Sequence, residues 1–281
     1  MLQEGDIVGG FRIDAPLAEG STAVVYRATQ QSLDRAVALK LLSRELSDDP
    51  AFSERFRREG QLQAAIAHPH IVTVYEAGES EHGLFLAMAL INGPTLKEMI
   101  FTERPDPRWS VRIASQVAEA LDAAHEVGLI HRDVKPQNVL IEDGVHAYLA
   151  DFGLTKDLDA ASLTVTGQFM GTIDYISPEQ ARAEGATPRS DVYQLAAVLY
   201  ESLATTVPFD RPTEAAVLFA HLTEPPPDLG DPCPDLPAAL CDVISRGMAK
   251  DPAERYGSPG ELMREARRAL GLETVGPASE R

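Results

Sequence analysis

Between residues 11 and 90, apolar residues come in short bursts separated by glycine or polar turns. Phe11 to Leu17, Ala23 to Ala28, Ala36 to Leu42, Ile71 to Tyr75 and Leu84 to Leu90 are rich in Val, Leu, Ile, Tyr and Phe, and so read as strands. One helix interrupts them. After Pro50, the residues Phe52, Phe56, Glu59, Gln63 and Ile66 recur on one face at helical spacing, while Arg55, Arg57 and Arg58 point elsewhere. Glu59 is the odd member of that stripe. An acid among apolar side chains needs a cationic partner or a path to solvent, and from the residues alone a wet boundary position suffices.

From Thr95 onward the period changes to helical, with helices predicted at roughly 109–127, 190–204, 212–222, 237–248 and 259–269. Turn-rich stretches at 143–188 and 224–237 break this half, but helical periodicity resumes after each, so neither is a domain linker. Residues 272–281 are polar and read as the start of a flexible tail. There is no internal repeat. A strand-rich lobe followed by a helix-rich lobe implies a cleft at the seam.

Composition narrows the function classes. The chain has 281 residues, 44% hydrophobic and 24% charged, enough for one large domain or two small lobes. A net charge of −18 speaks against nucleic acid and anionic membranes as partners, since phosphate surfaces attract basic patches. No apolar run reaches membrane-spanning length, and no basic-then-apolar leader opens the chain, so a soluble cytoplasmic protein is expected. Cys233 and Cys241 lack zinc-ligand spacing; they read as two lone thiols, with a local disulfide as the alternative. Arginine outnumbers lysine twenty to five, which draws attention to Lys40 and Lys135.

The chemistry concentrates in His131-Arg132-Asp133-Val134-Lys135-Pro136-Gln137-Asn138, followed by Asp151-Phe152-Gly153. An acid, a lysine and an amide within six residues, with a second acid beside Phe-Gly, make a set suited to phosphoryl transfer from a magnesium nucleotide. One carboxylate can orient a hydroxyl, and an amide and a carboxylate can hold metal. With Val37-Ala38-Leu39-Lys40 upstream and Ser177-Pro178-Glu179 downstream, the chain over residues 11–270 resembles the protein kinase family, specifically the eukaryotic-like Ser/Thr kinases of bacteria.

The resemblance implies an α+β, bilobal kinase fold. Residues 1–91 would form a small N-lobe with an antiparallel sheet and one helix, and residues 92–271 a larger, mainly helical C-lobe. It further implies a Mg-ATP-dependent protein serine/threonine kinase, with Mn²⁺ as a substitute metal and proteins bearing Ser or Thr, itself included, as substrates. Lys40 would meet the α- and β-phosphates and be held extended by Glu59. Asp133 would orient the substrate hydroxyl, Lys135 would neutralise the transferring phosphoryl group, and Asn138 and Asp151 would hold Mg²⁺. Leu17, Val25, Ala38 and Leu140 would sandwich the adenine, with Met88 as gatekeeper and the backbone of Ala89, Leu90 and Ile91 as the hinge. Ordinary core packing accounts for those apolar positions equally well.

Further roles follow from the same resemblance. Glu179 would pair Arg255, Asp191 would brace the catalytic loop, and Thr172 would help to receive the substrate. Thr164 and Thr166 would be phosphorylated and bridge to Arg132 and Lys156, ordering the loop. In the Gly-rich loop, Leu17 to Val25, only Gly20 of three glycines remains, Ala18 and Ala23 replacing the others, so weaker or slower nucleotide handling is expected. That thin loop supports an alternative, a nucleotide-binding pseudokinase scaffold. A small-molecule phosphotransferase of the same fold is a third reading, opposed by the Thr172 to Glu179 peptide-receiving segment. The resemblance leaves open a homodimer and a longer, membrane-anchored parent protein.

Overall fold

The computed structural model describes residues 2–20, 22–152 and 173–272. Among the described residues, six strands and two helices precede a mainly helical half. Strands β1 (Ile7–Val8), β2 (Phe11–Glu19), β3 (Ala23–Gln30), β4 (Arg35–Leu42), β5 (Val74–Ser80) and β6 (Gly83–Ala89) form one antiparallel sheet in the order β1-β2-β3-β4-β6-β5. Alternation along the strands separates its two faces. Val37 and Leu39 are fully buried against Phe11, Ile13, Tyr26 and Phe85 on one face. Ala38 packs on the opposite side with Phe52, Phe56, Leu86 and Met88.

Those phenylalanines belong to α2 (Pro50–Ala65), which follows the short α1 (Arg44–Ser47). The start of α2 is set by Asp49, whose carboxylate accepts from the amides of Ala51 and Phe52, and by Pro50 at the first helical position. One expected strand is displaced. Ile71 lies outside the sheet and makes an isolated parallel bridge to Leu149, and the strand runs instead from Val74 to Ser80. The apolar burst at 71–75 reports burial between sheet and C-lobe: Ile71 and Val72 are both buried, and Val72 donates its amide to the carbonyl of Leu149.

The rest of the chain is mainly helical: α3 (Leu96–Glu103), α4 (Pro107–Glu126), α5 (Pro178–Ala181), α6 (Pro188–Ala204), α7 (Glu214–Thr223), α8 (Ala238–Gly247) and α9 (Pro259–Ala269). Helix α3 is additional to the elements expected from the sequence. It is fixed by a capping box in which Thr95 and Glu98 satisfy each other's backbone amides. The two-stranded ribbon β7 (Val139–Glu142) and β8 (His146–Leu149) is also additional; its strands are too short to show a period. Helix α6 is buried along nearly its whole length, from Ser190 to Ser202, so it lacks a polar stripe and forms the centre of the C-lobe core with α4, α8 and α9. Between the lobes, Gly93 passes so near β7 that a Cβ there would stand 1.9 Å from the carbonyl oxygen of Ile141; no larger residue fits. A small lobe built on an antiparallel sheet and a larger helical lobe thus meet along a seam.

Candidate active site

Four elements bring charged side chains to the seam. Lys40 lies on β4 opposite Val25 of β3 and Leu86 of β6. Its ammonium stands 2.8 Å from Oδ1 of Asp151, which follows β8 with left-handed backbone (φ 56°). Glu59 projects from α2 and pairs, at 3.1 Å, with the guanidinium of Arg132. The expected Lys40–Glu59 pair is therefore not the one formed. Two cations and two carboxylates meet here, Lys40 with Asp151 and Arg132 with Glu59, and partners so remote in sequence are not encoded by spacing along the chain.

Asp133 and its neighbours form a rigid loop. Lys135 Nζ lies 2.9 Å from Asp133 Oδ2, and the Asn138 amide donates from Nδ2 to the Asp133 carbonyl at 2.8 Å and to its carboxylate at 3.3 Å. Both contacts use the donor end of Asn138, which leaves its carbonyl oxygen as the acceptor available to a cation. Among the described residues no group of three His, Cys, Asp or Glu side chains could hold a metal ion. One carboxylate and one amide oxygen, Asp151 and Asn138, fit a Mg²⁺ that keeps water and phosphate oxygens in its shell.

The loop backbone is held from beneath. Asp191, fully buried near the start of α6, accepts from the amides of His131 and Arg132 at 2.9 Å each, and from His125 at 2.7 Å. The carbonyl of Arg132 receives the side-chain amides of Gln180 and Gln194, and Gln194 also accepts from the amide of Val134. Arg132 itself is left-handed (φ 67°), an unusual conformation for a side-chain-bearing residue that these bonds over-determine. His131 is wholly buried, and burial lowers its pKa, so the ring is neutral. Nδ1 accepts from the amide of Asp133, and Nε2–H donates to the carbonyl of Ala150 beside Asp151. One imidazole thus ties the Asp133 loop to the Asp151 strand. Gln180, Gln194, His125 and His131 carry roles that no spacing along the chain announces, because amides and imidazoles bonded to distant groups leave no periodic signal.

The apolar candidates assemble beside Lys40. Ala38, Met88, Ala89, Ile91 and Leu140 pack in one cluster with Ala150. Leu17 is half exposed at an irregularity in the β2–β3 register, and Val25 is half-buried. Leu90 follows the last residue of β6. Ala18 and Ala23 lie within strands, paired to Val25 and Leu42, and neither has positive φ, so alanine introduces no backbone strain there. Gly20 closes the turn by donating its amide to the carbonyl of Ala23.

On the far side of the loop, Arg255 and Glu179 form a bidentate pair with both distances 2.8 Å, and Ser190 donates to the same carboxylate. Burial opposes the charged form of Glu179, yet the hydrogen bonds and charge of Arg255 outweigh it and hold the carboxyl below the usual range. Ser177, which stands where the family pattern has alanine, caps α5 by accepting from the amide of Gln180. Cys233 and Cys241 are free thiols. Gly153, Lys156, Thr164, Thr166, Gly171 and Thr172 lie outside the described residues.

The profile described as "Protein kinase domain" matches residues 11–266. The chain is 39% identical over 269 residues to "Serine/threonine-protein kinase PknE" of Mycobacterium tuberculosis, covering 95% of this chain and 47% of that protein. It is 41% identical over 258 residues to "Serine/threonine-protein kinase PknA" of the same organism, covering 90% of this chain and 59% of that one. The chain thus spans about half the length of the curated relatives it matches. Among solved structures, the kinase domain of M. tuberculosis PknI superposes with a TM-score of 0.78 at 30% identity, covering 96% of this chain and all of that one. By matched family, fold and arrangement of the seam, the chain belongs to the protein kinase family, among the bacterial eukaryotic-like Ser/Thr kinases.

Proposed function

We propose that this chain is a Mg-ATP-dependent protein serine/threonine kinase that transfers the γ-phosphoryl group of ATP to Ser and Thr hydroxyls, its own among them. The observation that carries this reading is the convergence of Asp133, Lys135 and Asn138 in one bonded loop, with Asp151 and Lys40 facing each other across the seam. Asp133 orients the attacking hydroxyl for in-line transfer, so alignment is its contribution. Lys135, already against Asp133, offsets charge on the phosphoryl group as it moves. Asn138 and Asp151 would hold Mg²⁺, which would supply charge neutralisation for the phosphates. Ala38, Met88 and Leu140 with Leu17 and Val25 enclose the adenine, and the backbone of Ala89 to Ile91 bonds its edge.

In this reading the ion pairs trade partners during the cycle. Lys40 leaves Asp151 for Glu59, which frees Asp151 for metal and Arg132 for a phosphothreonine at Thr164 or Thr166. The exchange requires movement of α2 toward Lys40, a phosphate to take up Arg132 and a cation to take up Asp151. The lobes divide at about residue 91, with a tail from 272. No helix among the described residues is long and apolar enough to cross a membrane. The scaffold alternative gains nothing from Ala18 and Ala23, because their strand backbone tolerates alanine.

The test is incubation with Mg-ATP followed by intact mass and phosphopeptide mapping, with Asp133→Asn as control. Phosphate on the wild type at Thr164 or Thr166, with transfer in the variant lower by about 10²- to 10⁴-fold, is the expected result. No phosphate on the chain or on a generic protein substrate, with ATP still bound, would replace the kinase with a scaffold.

A further inference from the structure

Behind the segment that receives the substrate sits a bonded chain of side chains that phosphoryl transfer does not use. Ile173 and Asp174 face α7 across a groove of about 470 Å3, with Pro212, Glu214 and Val217 on the other wall. His221, one turn beyond Val217 on α7, is fully buried and bonded at both ring nitrogens. Nδ1 lies 2.8 Å from the hydroxyl of Tyr193, and Nε2 lies 3.0 Å from the backbone carbonyl oxygen of Asp174.

The geometry assigns the proton. A carbonyl can only accept, so Nε2 carries the hydrogen; Nδ1 then offers a lone pair, and the Tyr193 hydroxyl donates to it. Burial and the nearby Lys250 ammonium push the pKa of this imidazole down to about 3, so it stays neutral across the working range. Lys250 donates to the carbonyl of Ala220 at 3.3 Å and sits over the ring of Phe209, which leaves little room for the imidazole to turn. Tyr193 lies on α6, the same helix whose Asp191 and Gln194 hold the loop of Asp133. One rigid helix therefore fixes the Asp133 loop on one side and, through Tyr193 and His221, the backbone at Asp174 on the other.

We propose that His221 is a positioning residue for the protein substrate: it ties the Asp174 backbone to α6 and so sets where the incoming polypeptide rests relative to Asp133. The inference rests on the kinase reading above. Removing the tie lets Asp174 shift against α7 and changes the groove, while the nucleotide side of the seam is untouched. Chemistry on a bound peptide depends on placement to within about an ångström, so the effect falls on the peptide.

Steady-state kinetics on a Ser/Thr peptide, with ATP and peptide varied separately, tests it. His221→Phe fills the space without the two bonds, and is expected to raise the KM for peptide about tenfold while the KM for ATP moves by less than about twofold. His221→Gln can donate to Asp174 and accept from Tyr193, and is expected to bring the peptide KM back to within about threefold of wild type. An unchanged peptide KM, an equal loss of ATP affinity, or a glutamine no better than phenylalanine overturns the assignment. If His221→Phe does not fold, Tyr193→Phe takes its place, with a rise of about threefold in peptide KM expected and no rise counting against the proposal. A wild type that transfers no phosphate defeats the kinase reading separately. Nitrogen NMR of histidine-labelled protein then examines the tie alone: a neutral Nε2–H tautomer from pH 7 to pH 5 supports it, and an Nδ1–H tautomer or an imidazolium refutes it.

Discussion

Two sets of ion pairs flank the catalytic loop, and they are built differently. Below it, Arg255 and Glu179 are buried, bidentate and further bonded to Ser190 and to the carbonyls of Ala249 and Arg189, so one geometry satisfies every donor. Above it, Lys40, Asp151, Glu59 and Arg132 are only partly buried, their side chains retaining between 16% and 33% of their exposure, and neither pair is bidentate in the way of Arg255 and Glu179. A buried pair with all its hydrogen bonds made cannot change partner without leaving a charge stranded in low dielectric. A half-wet quartet can, because water screens the intermediates. The lower pair is a fixed foundation, whereas the upper four charges are those that the proposed function has trading partners.

The sharpest way to break that contrast is Arg255→Ala. It leaves Glu179 buried and unpaired, and should lower the unfolding free energy by about 3–5 kcal/mol in a urea titration. A loss under 1 kcal/mol would put the lower pair in the same class as the upper ones. Acid sharpens the same point. The Glu179 pKa is lowered in the fold, so its contribution is complete above the usual value of 4.5 and is lost as pH falls through the lowered value.

A smaller effect comes earlier in the same acid titration. His221 has a folded pKa of about 3 against 6.5 unfolded, so the unfolded chain binds more protons between these values and stability falls as pH drops below 6.5. At pH 5 the loss amounts to about 2 kcal/mol. His221→Gln should remove that part of the slope, with His131 leaving a residual slope of the same sign. An identical pH dependence in wild type and variant would show that His221 titrates freely.

The smallest change in stability belongs to the upper four charges. Glu59→Gln should alter unfolding free energy by less than Arg255→Ala, by about 1 kcal/mol, as expected for a partly buried pair whose remaining amide can still accept from Arg132. Its phosphoryl transfer should nonetheless drop roughly tenfold, because Glu59 is needed to hold Lys40 in the transferring arrangement. Full activity in Glu59→Gln would mean that the Glu59–Arg132 pair is the permanent one.

The legible parts of the molecule were those with a period or a spacing. Alternation put Val37 and Leu39 on one face and Ala38 and Lys40 on the other, and the i, i+4 phenylalanines of α2 placed that helix. Pro50 marked the start of α2, while the helix expected from 109 begins two residues earlier, at Pro107, with Asp106 as its cap. What escaped was set by contacts remote in sequence. Helix α3 owes its start to a local capping box, but its partners lie on α6 and β7. Ile71 reads as a strand residue because it is buried, yet it bridges to Leu149. Gln180, Gln194 and His221 look like ordinary helix residues, and only their distant backbone acceptors reveal their role.

For this protein, the amino-acid sequence alone determined the family, the two-lobed architecture and the identity of the charged groups that meet at the seam, since those depend on residue type and local spacing. The tertiary structure decided which charges pair, which tautomer His131 and His221 adopt, and how α6 joins the Asp133 loop to the backbone at Asp174. Electrostatic partnership is a matter of a few ångströms in space. The pairing of Lys40 with Asp151 and of Glu59 with Arg132 leaves no mark on the order of residues along the chain.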